Sequence, residues 1–138
     1  MLSLLQAIYT KISTSQLFSA VGGRFYLDEY QGDNPPVFPY IIYQVVSAPK
    51  EKTFTEIYTN ALIQFSIFSS SSSVVEITGL YDSLVTLFDE CSMSITGYTL
   101  VSFKEENLVT MIEPITTETG ESFVRHWAID FEVVVSKS

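Results

Sequence analysis

The sequence predicts an α+β fold, a mainly antiparallel sheet of four to five strands with two helices packed on one side. Three observations carry this prediction. Alternate positions of residues 122–135 read Phe123, Arg125, Trp127, Ile129, Phe131, Val133 and Val135, while His126, Asp130 and Glu132 lie between them. A period of two over that length is a long strand with one face on a core. Two other stretches carry apolar residues at helical spacing, and the remaining strand-like runs fall in pairs between them. At 138 residues the chain predicts one domain, 1–138, able to bury about two-thirds of its unfolded surface.

Taken in order, residues 2–14 place Leu4, Leu5, Ile8 and Ile12 on one stripe, which predicts the first helix. Residues 17–21 add a short helical turn, and Gly22-Gly23 stops it because glycine readily takes the left-handed conformation. Residues 24–27 read as a short strand. Turn residues and two prolines then make 28–36 a loop. Pro39 sets the entry to a strand at 40–46, apolar on both faces and therefore either inside the sheet or against a neighbour. Pro49 and Lys50-Glu51-Lys52 mark a projecting polar hairpin loop at 47–55, from which 57–68 returns as a strand.

The five serines 69–73 end in Ser73, which with Glu76 has the spacing of a capping box. Ile77, Leu80, Tyr81, Leu84 and Phe88 then form the stripe of the second helix, 74–91. Gly97 opens a strand at 98–104 that resumes at 108–112 after an acidic break at Glu105-Glu106. Pro114 and Gly120 bracket a loop before the last strand, which is expected in the middle of the sheet.

Composition excludes several functions. The net charge of −9, with 16 acidic and 7 scattered basic residues, offers no clustered Lys and Arg for a nucleic-acid face. The single Cys91 excludes an internal disulfide and reads as a half-buried thiol. No apolar run approaches a membrane span, and residues 1–5 lack a signal-peptide start, so a cytoplasmic site of synthesis is expected. A mean hydropathy of +0.25 leaves apolar surface for contacts between subunits.

No constellation equips the chain for catalysis. His126, the only histidine, lies in a regular strand without a Gly-x-Ser-x-Gly turn elsewhere. One His and one Cys supply no metal-ligand spacing, and Asp28, Glu29 and Asp33 lack the calcium-loop pattern. The pairs Asp89-Glu90, Glu105-Glu106 and Glu118/Glu121 read as solvated carboxylates. No catalytic, metal or cofactor residues are therefore assigned. Candidate interface residues are Tyr30, Phe38 and Phe54, aromatic anchors in long loops, with Lys50 and Lys52 beside them. Arg125 joins them either as a cross-subunit ion-pair partner or as a guanidinium bound locally against Trp127.

An amphipathic helix ending in Gly23-Arg24, an aromatic short strand Phe25-Tyr26, and a proline-bearing loop into Pro39-Tyr40-Ile41-Ile42-Tyr43 together resemble a known family. The chain resembles the tail-completion, or tail terminator, proteins of long non-contractile-tailed bacteriophages. Later elements follow the family's order, ending in a strand with Arg125 and Asp130-Phe131. The resemblance implies a small α/β sandwich without catalysis or cofactor. It implies a ring, usually a hexamer, that caps the tail tube and docks the head connector, passing DNA without binding it specifically. Gly23 would make the turn, Pro39 set the strand entry, Tyr40 pack or anchor, and Arg24 be architectural. Expected partners are the chain itself, tail tube protein and head connector proteins; the expected location is the head-proximal end of the virion's tail, after assembly in the host cytoplasm. The rivals are a head–tail connector or stopper subunit and a small ligand-binding or enzymatic domain.

Overall fold

The computed structural model describes residues 2–52, 57–117 and 120–137. The chain runs α1 (Leu2–Ser13), α2 (Gln16–Ala20), β1 (Phe25–Leu27), β2 (Tyr40–Ser47), β3 (Lys50–Lys52), β4 (Ile57–Ser69), α3 (Val75–Phe88), β5 (Ser94–Ile95), β6 (Tyr98–Thr117) and β7 (Gly120–Lys137). The strands form one seven-stranded sheet in the order β1-β2-β4-β7-β6-β5, with β3 paired to β4 off that path. Only the β1–β2 pair is parallel.

The fold class holds as an α+β sheet covered on one side, and β7 lies between β4 and β6 as expected. The counts need correction. Among the described residues seven strands replace four to five, because β3 and β5, with three and two residues, carry no periodicity to detect, whereas β1 matches the short strand read at 24–27. Among the described residues three helices replace two, because the short helical turn expected at 17–21 forms as the separate helix α2.

One cluster of buried residues forms the core. Leu4, Ile8 and Ile12 of α1, Leu17 of α2 and Ile77, Leu80, Leu84 and Phe88 of α3 meet Ala61, Ile63, Phe65 and Ile67 of β4 and Ile129, Phe131 and Val133 of β7. Phe65, Phe88, Phe103 and Phe131 are all fully buried. Their rings sit 5.1–6.4 Å apart, in stacked and edge-to-face pairs that aromatic quadrupoles favour.

Of the predicted loop at 113–121, residues 113–117 and 120–121 instead continue the pairing of β6 with β7. The β6–β7 ladder runs from Tyr98↔Lys137 out to Thr117↔Gly120. The β4 ladder stops at Ser69↔Arg125, so the part of the hairpin beyond it is a two-stranded arm. The acidic break at Glu105-Glu106 appears as a register shift between Glu105 and Asn107 within one continuous strand. Asp89 holds this bulge by accepting the Glu105 amide at 2.9 Å, while the Glu90 amide bonds the Phe103 carbonyl at 2.7 Å.

The capping box is not formed. Ser73 Oγ accepts the Val75 amide at 3.2 Å, but Glu76 turns away to take the Ser69 hydroxyl at 2.6 Å. Burying Ser69 at the end of β4 requires a partner for its hydroxyl, and Glu76 supplies it.

Candidate assembly surface

The sheet face away from the helices carries a second, smaller cluster. Tyr26, Tyr40, Phe68 and His126 come from β1, β2, β4 and β7, and lie side by side through the registers Tyr40↔Phe68 and Phe68↔His126. Tyr40 stacks on Phe68 at 4.7 Å, Phe68 on His126 at 4.2 Å, and Tyr40 also meets Tyr30 at 4.7 Å and Phe38 at 5.3 Å. Only 8% of Tyr40 is exposed. The loop between β1 and β2 is thus folded onto the sheet by its own aromatics. Its path closes around the Tyr30 hydroxyl, which accepts the Val37 amide at 3.1 Å. A side chain at Gly32 would strike the Tyr30 and Tyr26 hydroxyls at 2.6 and 2.7 Å.

Gly23, Arg24, Pro39 and Tyr40 converge on the entrance to this face. Gly22 and Gly23 both take positive φ, +61° and +75°, and their amides bond Ser19 and Phe18 carbonyls at the end of α2. The chain then turns so that Arg24 Nε donates to the Pro39 carbonyl at 2.9 Å and Nη2 to the Phe38 carbonyl at 3.3 Å. The Ile41 amide returns a bond to the Arg24 carbonyl at 3.0 Å. A guanidinium lies so close over Gly22 that an added Cβ would sit 2.6 Å from its Nη1. Arg24 therefore joins the helix end, the loop and the first residues of β2. Burial pushes the Tyr40 phenol above its ordinary pKa, with Tyr30 adding to it.

Below the aromatics a polar ladder crosses the same face. Gln44 Nε2 donates to Gln64 Oε1 at 3.2 Å, and Gln64 Nε2 donates to Asp130 Oδ1 at 2.9 Å. Three adjacent strands are tied by side chains as well as backbone.

Lys50 and Arg125, two of the other predicted interface residues, lie apart from this cluster. Lys50 is exposed on β3, which pairs back onto β4 as Lys50↔Thr59, Glu51↔Tyr58 and Lys52↔Ile57. Phe54 lies outside the described residues. Arg125 is half-buried and donates from Nη2 to the Ser72 carbonyl at 3.3 Å. The expected inward face of β7 is buried from Ile129 onward and partly buried at Trp127, which packs against the core. Trp127 is half-buried edge-on to Tyr81 at 5.8 Å, and Phe123 is 61% exposed because the arm passes beyond the helices. With Ile112 at 60% and Val109 at 43% exposure, Phe123 gives the arm region its apolar surface.

His126 Nδ1 lies 2.9 Å from Glu113 Oε1, a single carboxylate on the exposed arm. Among the described residues no group of three or more His, Cys, Asp or Glu is placed to hold a metal ion. An open groove of about 830 Å³ runs along α1 past Tyr9, Tyr43 and Met93, and its lining holds no carboxylate, histidine or cysteine. Burial pushes the half-buried Cys91 thiol up, which keeps it protonated at neutral pH. No described helix is long and apolar enough to cross a membrane.

No protein-family model and no curated protein matches the sequence. Solved structures do match. The chain has the fold of a chain in a virion. In a structure of the virion of a native gene transfer agent particle, that chain superposes with a TM-score of 0.75 at 11% identity, over 95% of this chain and 92% of the other. A second solved chain matches with a TM-score of 0.52 at 13% identity, over 95% and 93% of the two. Both likenesses extend over nearly the whole of either chain, so the shared feature is the fold as a whole.

Proposed function

We propose that this protein is a non-enzymatic virion assembly subunit that caps a phage tail tube as a ring, in the expected case a homohexamer, and forms the docking surface for the head. The observation that carries this reading is the whole-chain likeness to a chain of the gene transfer agent virion. The resemblance of the segment from Gly23-Arg24 to Pro39-Tyr40 to tail terminators supplies the finer assignment within a virion.

Physical features of the surface support it. A two-stranded arm reaching past the helices, with Ile112 and Phe123 exposed, is suited to touching a neighbouring subunit. A closed ring needs one patch to meet a different one, and the arm and the Lys50 end of the sheet are such a pair of unlike patches. A net charge of −9 permits a lumen that does not hold phosphate, so DNA passes without specific binding.

Electron microscopy of purified headless tails carrying labelled protein tests the placement. Label at the head-proximal end of each tail is the expected result. Label found only on heads, with bare tails, favours the connector or stopper reading.

A further inference from the structure

We propose that the outer edge of β6 at residues 107–112 is a docking site for an extended strand of a different polypeptide, apolar in its middle and basic at both ends. The inference goes beyond the ring reading and does not depend on it.

The edge is open where the rest of β6 is not. Pairing with β5 covers Tyr98 and Thr99. The end of α3 then satisfies the Phe103 carbonyl and the Glu105 amide through Glu90 and Asp89. From Asn107 to Ile112 no described strand pairs with the outer side. This window reads Asn-Leu-Val-Thr-Met-Ile, uncharged and rich in strand-forming residues. Edge strands are usually blunted by charge or proline. Here Glu106 lies just before the window and Glu113-Pro114 just after it, so the guards mark its ends and leave the middle free. Six residues at about 3.3 Å each make roughly 20 Å of pairing edge, an ordinary strand length.

Charge selects the occupant. A second copy pairing antiparallel about Val109 and Thr110 would set Glu106 against Glu113 at both ends, and like charges opposite one another oppose pairing. The chain's other short strands, β1, β3 and β5, have three, three and two residues and do not fill the window. A strand with lysine or arginine opposite Glu106 and Glu113 meets both the backbone and the charge pattern.

The test uses the full chain and an eight-residue peptide with lysine at each end and alternating valine and threonine between. Amide exchange at residues 107–112 should slow on peptide addition, and methylating alternate peptide nitrogens should abolish the effect. A glutamate-ended peptide should bind about tenfold more weakly. The double substitution E106K/E113K should reverse that ranking. E106K alone, at an exposed residue, should narrow the gap roughly threefold and keeps the test valid if the double variant misfolds. Unchanged exchange at 107–112 with either peptide overturns the proposal. Protection of 107–112 that rises with protein concentration and no peptide also overturns it, by assigning the edge to a second copy. A positive result with normally capped tails in the absence of the chain would sink the ring reading and leave this one standing.

Discussion

Tyr40→Ala tests whether the open face of the sheet is a second core or a decorated surface. Tyr40 is 8% exposed and its ring meets four others, those of Tyr26, Tyr30, Phe38 and Phe68. Truncating a buried aromatic costs about 3–5 kcal/mol, through lost transfer energy and the cavity left behind. The loop carrying Tyr30 and Phe38 can close partway into the gap, which places the expected loss near 3 kcal/mol. For a domain of this size that lowers Tm by about 10 °C. Tyr40→Phe keeps the ring and should cost under about 1 kcal/mol, since no bond from the Tyr40 hydroxyl is needed to hold the stack. Urea unfolding of the two variants, with amide exchange across residues 28–38, measures both effects. Tyr40→Ala within about 0.5 kcal/mol of the parent, or an unchanged loop, would refute the second core.

Two glycines make a matched pair. Gly22→Ala should destabilise by about 2 kcal/mol, because φ is +61° and the new Cβ displaces the Arg24 guanidinium. Gly79→Ala in α3 has nothing within 4 Å and should stabilise by about 0.5–1 kcal/mol, both read by denaturant titration. Trp127→Ala should cost about 2–3 kcal/mol, below the full-core value, because the indole is only half-buried; a loss of 5 kcal/mol by urea unfolding would contradict that placement. Tyr81 donates its hydroxyl to Glu105, and this bond, with burial second, pushes its pKa up to about 12. A raised folded pKa means the contribution is whole below pH 10 and is lost as pH rises through about 12. Tyr81→Phe should therefore flatten the fall in stability between those values, and an unchanged slope would exclude the bond as its cause.

The large features of the fold were legible because they are periodic. Ile129, Phe131, Val133 and Val135 alternate, and Ile77, Leu80, Leu84 and Phe88 step by three and four, so both elements were readable from spacing alone. What alternation does not encode is where a strand leaves the body. Phe123 continues the apolar pattern of β7 into solvent, and Pro114 reads as a loop although edge strands accept proline. Of the short strands, β1 is readable at 24–27, whereas β3 and β5 are not, because each is defined by a neighbour: β3 through Thr59 and Tyr58, and β5 through Thr99 and Tyr98. The capping spacing misled because Ser69, 0% exposed, claims Glu76.

The convergence of Arg24 with Pro39 was half visible. The letters stood fifteen residues apart with no local periodicity, and only the tertiary bonds from the guanidinium bring them together. Tyr30 and Phe38 stand out in the sequence as loop aromatics, but their contacts with Tyr40 are set by the fold and carry no local signal. His126 and Phe68 lay in separate strands, and only the register reveals their stack.

The role proposed for this chain is capping the tail and joining it to the head. Its most direct test is electron microscopy of particles assembled without it. Tails that run overlong, or that finish at normal length and fail to join heads, are the predicted result. Tails of normal length attached to filled heads would contradict the account.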